Sequence, residues 1–171
     1  MTTRRSSRFI CVRHPPIQKV SRVKAVYAID LLQRRGVSSA LAAFAMDQLE
    51  LEKIVTAWIT AFQVERGSAE YEANWWAISE VLEWAVDDKA DRLWPFLLEA
   101  YKRDLPHKVI ANLAAGPLED LLAKRGEDFI DRVEELARRD PKFNYLLGGV
   151  WRNTMTDEVW QRVQAIRNHV W

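Results

Sequence analysis

Three histidines, His14, His107 and His169, and one cysteine, Cys11, are the most versatile reactive side chains in this 171-residue sequence, and they are scattered. No His-Glu-x-x-His pair sets two imidazoles on one helical face around a zinc ion. One cysteine can form neither an internal disulfide nor a cysteine-based zinc site, and Cys11 has no fixed base nearby to activate it. His107 follows Pro106 in the first turn of a helix. As a general base it would need a partner from elsewhere in the fold, Asp104 or Glu119, and a surface imidazole is the simpler reading. Asp87, Asp88 and Asp91 are close enough to suggest a hard cation, yet the glycine and regular spacing of a calcium loop are missing. An acidic capping loop accounts for them. Gly148-Gly149 lacks the Lys-Ser or Lys-Thr of a phosphate loop and reads as a turn, and no serine stands in a nucleophile elbow. The residues thus call for no metal and no cofactor, and they name no reaction.

Aromatic side chains offer a different chemistry, that of binding. Eight tryptophans are present. Trp58, Trp75, Trp94, Trp151 and Trp160 fall on apolar stripes and are expected in the core, whereas Trp76, Trp84 and Trp171 are expected on an exposed, partner-facing edge. Together with the acidic pair Glu119-Asp120 they outline a candidate protein-binding surface.

The elements that must position these groups are helices. Leu51, Val55, Trp58 and Phe62 recur at helical spacing from about Asp47 to Val64. Ser68 caps the next helix, where Trp75, Ile78, Leu82 and Ala85 form the expected inward stripe before Asp87-Asp88 breaks it. Trp94, Leu97, Leu98 and Tyr101 follow in a helix starting near Asp91 or Arg92, with Pro95 in its first turn. Pro106 opens another, carrying Val109, Ile110 and Leu113. The spacing then predicts a short helix capped by Gly116, with Pro117 at its first position, Glu119 reaching back to the Gly116 N–H, and Gly126 as its stop. Glu119-Asp120 and Glu127-Asp128 sit at helix starts, where the dipole favours acids. Phe129, Ile130, Val133, Leu136 and Ala137 make the cleanest amphipathic stripe. Asp140 caps a helix opened by Pro141, and Thr156 caps the last one, with Trp160, Val163, Ile166 and Val170 inward.

The same central stretch carries a resemblance. Gly116 to Leu122, Gly126, Phe129-Ile130, Asp140-Pro141, Phe143, the run Leu147 to Trp151, Asn153, Trp160 and Arg162-Val163 are similar to a bacterial domain-of-unknown-function family, number 6869. The likeness is dense here and thins upstream to about Asp47. It implies a small helical protein of bacterial origin and transfers no catalytic residue.

No stretch alternates with period two, so the expected class is all-α, an irregular multi-helix bundle of antiparallel helix pairs with at most a weak solenoid character. The longest uninterrupted apolar run, Ala40 to Met46, is far below the roughly 18–20 residues that span a bilayer. Phe9 to Val12 is too short for a signal-peptide core, and the expected location is the cytoplasm.

The net charge of +1 conceals an asymmetry. Residues 1–35 hold nine basic side chains against Asp30, while the remaining 16 basic and 23 acidic residues leave the rest at −7. Residues 1–17 are read as a flexible basic arm, 18–45 as an N-terminal helical extension and 46–171 as the helical domain. The arm suggests an alternative, nucleic-acid binding through Arg4, Arg5, Arg13, Arg22 and Lys24, which predicts a steep salt dependence and which the acidic remainder opposes. A second alternative is an enzyme with a site near His107 and Glu119. The leading reading is a module that binds a protein partner and regulates or neutralises it. A chain beginning at Met46 is expected to keep the cooperative melt of the full chain; aggregation would instead mean that Val23, Val26, Tyr27 and Leu31 belong to the core.

Overall fold

A computed structural model describes residues 39–171, with side chains from Asp47 onward. The basic arm and most of the 18–45 extension lie outside the described residues. Among the described residues seven α-helices follow one another: α1 (Ser39–Gln63), α2 (Ala69–Val86), α3 (Ala90–Tyr101), α4 (His107–Leu113), α5 (Glu119–Arg139), α6 (Pro141–Leu147) and α7 (Asp157–Ile166), with a π-helical turn, Ala114–Leu118, joining α4 to α5. No strand occurs among the described residues, and the helix lengths follow no repeat. The fold is all-α, an irregular helical bundle. None of the described helices is long and apolar enough to cross a membrane.

α1 runs through Met46, where the sequence reading places the boundary between the 18–45 extension and the helical domain. Neither glycine nor proline interrupts 39–63, and the alanine-rich sequence simply continues the helix. Gly67, with φ of 85°, turns the chain after it at no steric cost, and the Ser68 hydroxyl then accepts the Tyr71 N–H to cap α2. Asp88 adopts φ of 58° in the break before α3. Asp140 and Thr156 cap α6 and α7 as expected.

Residues Asp47–Trp171 form one compact unit around α3. Phe96, fully buried, meets Trp58 edge-on at 5.6 Å and Trp84 at 6.2 Å, tying α1 and α2 to one side of α3. Trp94 and Tyr101 pack on Phe129 and Phe143 on the other, at 5.6 Å for Trp94–Phe129 and 5.2 Å for Tyr101–Phe143. The Tyr101 hydroxyl donates to Asp140, and its own pKa is pushed up to about 12 by burial and by that carboxylate. The amphipathic stripe of α5 is buried as its spacing requires, with Leu136 half-buried.

The segment joining α4 to α5 departs from expectation. Pro117 lacks the N–H that an α-helix would direct to Leu113, and its ring would crowd that carbonyl. The chain absorbs the misfit by widening one turn: the Glu119 N–H reaches back five residues to the Ala114 carbonyl, and the helix continues. Gly116 is therefore no cap, because its own N–H is not a free helix end. The helical run does break where Gly126 is expected to end it: Arg125 leaves the helical region (φ −128°, ψ 26°) and two helical stretches meet there at a kink, while a Cβ added at Gly126 would stand 2.7 Å from a Val159 methyl. The glycine is there so that α7 can cross α5 closely. Arg162 of α7 fastens the same crossing through Asp131 and Glu134, and its guanidinium holds the Glu134 carboxyl below the ordinary range.

Candidate functional site

α2 has two apolar faces, and of the stripe expected to lie inward Ala85 is buried and Ile78 half-buried, while Trp75 and Leu82 face solvent. The buried face is Ala77, Val81, Trp84 and Ala85. Tyr71, Trp75, Ile78, Leu82 and Val86 lie within about 80° of one another at 100° per residue, forming a second ridge. Leu82 is 56% exposed, Trp75 40% and Val86 65%, while Tyr71 and Ile78 are half-buried. Trp75 packs against Tyr71 with the rings tilted and their centroids 5.6 Å apart. The sequence pattern locates an apolar stripe but places its exposed members, Trp75 and Leu82, on the wrong side, because both faces of α2 carry helical periodicity and the face with Trp84 is the one that meets Phe96 of α3.

Beside this ridge runs an open groove of about 410 Å³. Trp58 and Phe62 of α1 form one end, Ile78, Val81 and Leu82 of α2 one wall, and Ala111, Asn112, Ala115, Gly116 and Pro117 the opposite wall. The widened π turn shapes that second wall, and small residues keep it low; a Cβ at Gly116 would meet nothing within 4 Å. Asp120 is the one ionisable side chain lining the groove. Burial, with Glu119 adjacent, pushes its carboxyl above the ordinary 3.8, and Lys124 opposes this only in part. The Lys124 ammonium is itself committed to the carbonyls of Ala85 and Val86 at the end of α2. A raised folded-state pKa in an acid costs stability once the group ionises. Asp120→Asn is therefore expected to raise the melting temperature at neutral pH, with the gain fading as pH falls to the unfolded value of 3.8. Parallel melts from pH 3 to pH 7 check this, and a gain that persists at the acid end would remove ionisation as its cause.

Glu119 has a different task from the one its spacing suggests. Its two carboxylate oxygens accept from the Trp151 N–H and the Asn153 amide, each at 3.0 Å, and so anchor the loop before α7, where Asn153 takes φ of 45°. Glu119→Gln can keep both contacts if the Asn153 amide turns over to present its oxygen. The expected cost is about 1 kcal/mol or less, with Glu119→Ala costing more, measured by urea unfolding. A loss of several kcal/mol for the glutamine variant would mean that the charge itself holds the loop.

His107 and Glu119 engage different neighbours. The exposed His107 ring lies 4.7 Å from the Trp171 ring, which also stacks on Tyr145 and donates its indole N–H to the Tyr145 carbonyl. His169 also packs against Tyr145, with ring centroids 4.9 Å apart. Gly148 and Gly149 make room for Trp171; a Cβ at Gly149 would stand 2.5 Å from its ring. Trp171 is thus half-buried rather than free. Of the other edge candidates, Trp84 is corrected outright: at 3% exposure, with its indole N–H on Glu80, it cannot meet a partner. Trp76 is exposed beneath the Lys53 ammonium at 5.4 Å but lies about 120° around α2 from Leu82, off the ridge. Trp151, expected in the core, is 66% exposed. Arg4, Arg5, Arg13, Arg22 and Lys24 lie outside the described residues. Among the described residues no group of three histidine, cysteine or acidic side chains is placed to hold a metal ion.

Residues 64–170 match the model of a family of unknown function, DUF6869. The chain belongs to this family. The match begins at Val64 rather than near Asp47, so the family region supplies α2 and the π-turn wall of the groove, while Trp58 and Phe62 come from outside it. No curated protein and no solved structure matches the chain.

Proposed function

We propose that this member of DUF6869 is a cytoplasmic bacterial protein-interaction module whose binding surface is the α2 ridge and the groove beside it. The observation that carries the reading is the line of Trp75, Leu82 and Val86, exposed, with Ile78 half-buried among them, on a helix that already buries its other apolar face. Scattered exposed apolar residues need no explanation, but a continuous ridge next to a groove marks a place where another molecule is meant to exclude water. The groove offers apolar walls and a single carboxylate, a composition suited to gripping side chains and poor in groups that could move protons or electrons between reactants. Regulation or neutralisation of the partner results if the occupied surface is one the partner needs.

Photo-crosslinking in the native host tests the reading. With p-benzoylphenylalanine at Leu82, a discrete protein adduct is expected, and the same residue at Glu135, exposed on α5, is expected to give none. Indistinguishable adducts from both positions, or none from Leu82, would reject the surface.

A further inference from the structure

A docking surface on the ridge and groove, the reading on which this step rests, has a shape and a charge that specify the kind of segment it takes. We infer that the occupant is an amphipathic helix of the partner protein that lays its apolar face along the α2 ridge and places one lysine or arginine against Asp120.

No described residue belongs to a strand, so there is no sheet edge among them on which an extended peptide could add itself. The ridge residues are spaced by three and four positions, and such rows interdigitate with the rows of a second helix. From Tyr71 to Val86 the ridge extends about 22 Å, the length of a helix of roughly 15 residues. The low wall of Ala111, Ala115 and Gly116 leaves the depth that larger side chains there would fill. Charge decides the polar feature of the occupant. Asp120 is half-buried, makes no ion pair among the described residues, and has Glu119 beside it, while the ammonium of Lys124, which acts on it, is bound to backbone carbonyls. A cation entering this apolar groove meets an anion whose field water screens weakly, and it relieves the cost of keeping that carboxylate ionised.

Three 15-residue stapled helices serve as probes, identical in a leucine face spaced i, i+4, i+7, i+11 and carrying lysine, glutamine or glutamate beside it. Calorimetric titration into the full chain at pH 7 is expected to rank them lysine, glutamine, glutamate, with about tenfold or more between the first two. In Asp120→Asn, shown to be folded by its circular dichroism, the difference between lysine and glutamine is expected to vanish while the leucine face still binds. Equal affinities of all three helices would overturn the assignment to Asp120 and leave the groove as a binding surface. Failure of every helix while the Leu82 adduct still forms would overturn a helical occupant alone; failure of both would remove the interaction reading as well. A dimer of the chain that is lost in Leu82→Arg would place a second copy on the ridge and equally overturn the inference.

Discussion

Phe96→Ala is expected to destabilise the protein by about 3–5 kcal/mol, because it removes a fully buried ring that nothing nearby can replace. The loss has two parts. One is the transfer of a large apolar side chain back to water, and the other is the cavity left between Trp58 and Trp84, whose rings stand edge-on to Phe96 at 5.6 Å and 6.2 Å. Both indoles are themselves buried and held by their helices, so the void can close only if α1 or α2 moves toward α3. The melting temperature should fall by about 10 °C or more. Trp58 lines the groove as well, so the same variant is expected to loosen the α1 end of the docking surface. A fall of less than about 1 kcal/mol would mean that the three rings do not form the junction described.

The second large effect is expected at a polar residue. Asn144, 3% exposed, is the one buried polar or charged side chain among the described residues, and it joins three segments. Its amide nitrogen donates to the Ala137 carbonyl of α5 and the Ile166 carbonyl at the end of α7, and its oxygen accepts the Asn168 N–H at 2.9 Å. Asn144→Ala leaves those backbone groups without partners in a place that water reaches poorly, and the expected cost is about 2–4 kcal/mol. Asn144→Asp keeps the shape but loses both donors and sets a carboxylate against two carbonyl oxygens. It should be worse than alanine at pH 7 and should recover on acidification, when the protonated acid can donate again. Urea unfolding of both variants at pH 7 and pH 4 checks the pair, and a neutral alanine variant would show that the network adds nothing to stability.

Much of this architecture is legible in the sequence, because it depends on signals a few residues long. Ser68, Asp140 and Thr156 act as caps where their side chains can reach an orphan N–H, and the α5 stripe from Phe129 to Ala137 has one apolar face and therefore one way to pack. The features that local signals miss depend on contacts distant in sequence. Glu119 satisfies every local criterion of a capping residue, yet its partners are Trp151 and Asn153, more than thirty residues away. Gly126 marks the break at Arg125 that its type suggests, but its close contact with Val159 has no local signal. Pro117 looks like a first helical residue, although a single widened turn lets the helix run through it. Asn144 carries no signal beyond that of a polar residue in an apolar run.

The candidate surface is hard to place from sequence for one physical reason. A helix with apolar residues on two faces gives no indication of which face the rest of the chain will cover, and α2 is such a helix. Trp84 and Val81 turn inward because Phe96 supplies a complementary ring on α3, which leaves Trp75, Leu82 and Val86 outside. The acidic pair divides in the same way: Glu119 is an anchor and Asp120 is the charged feature of the groove.

Hydrogen exchange of the chain alone and in complex with the protein captured through Leu82 tests the central claim most directly, because it maps the whole covered surface at once. Slowed exchange along Tyr71–Val86 and Ala111–Asp120, with little change elsewhere, is the result expected from a partner seated on the α2 ridge and in the groove. Protection confined to the His107, Tyr145 and Trp171 cluster, with α2 exchanging as it does in the free chain, would contradict it.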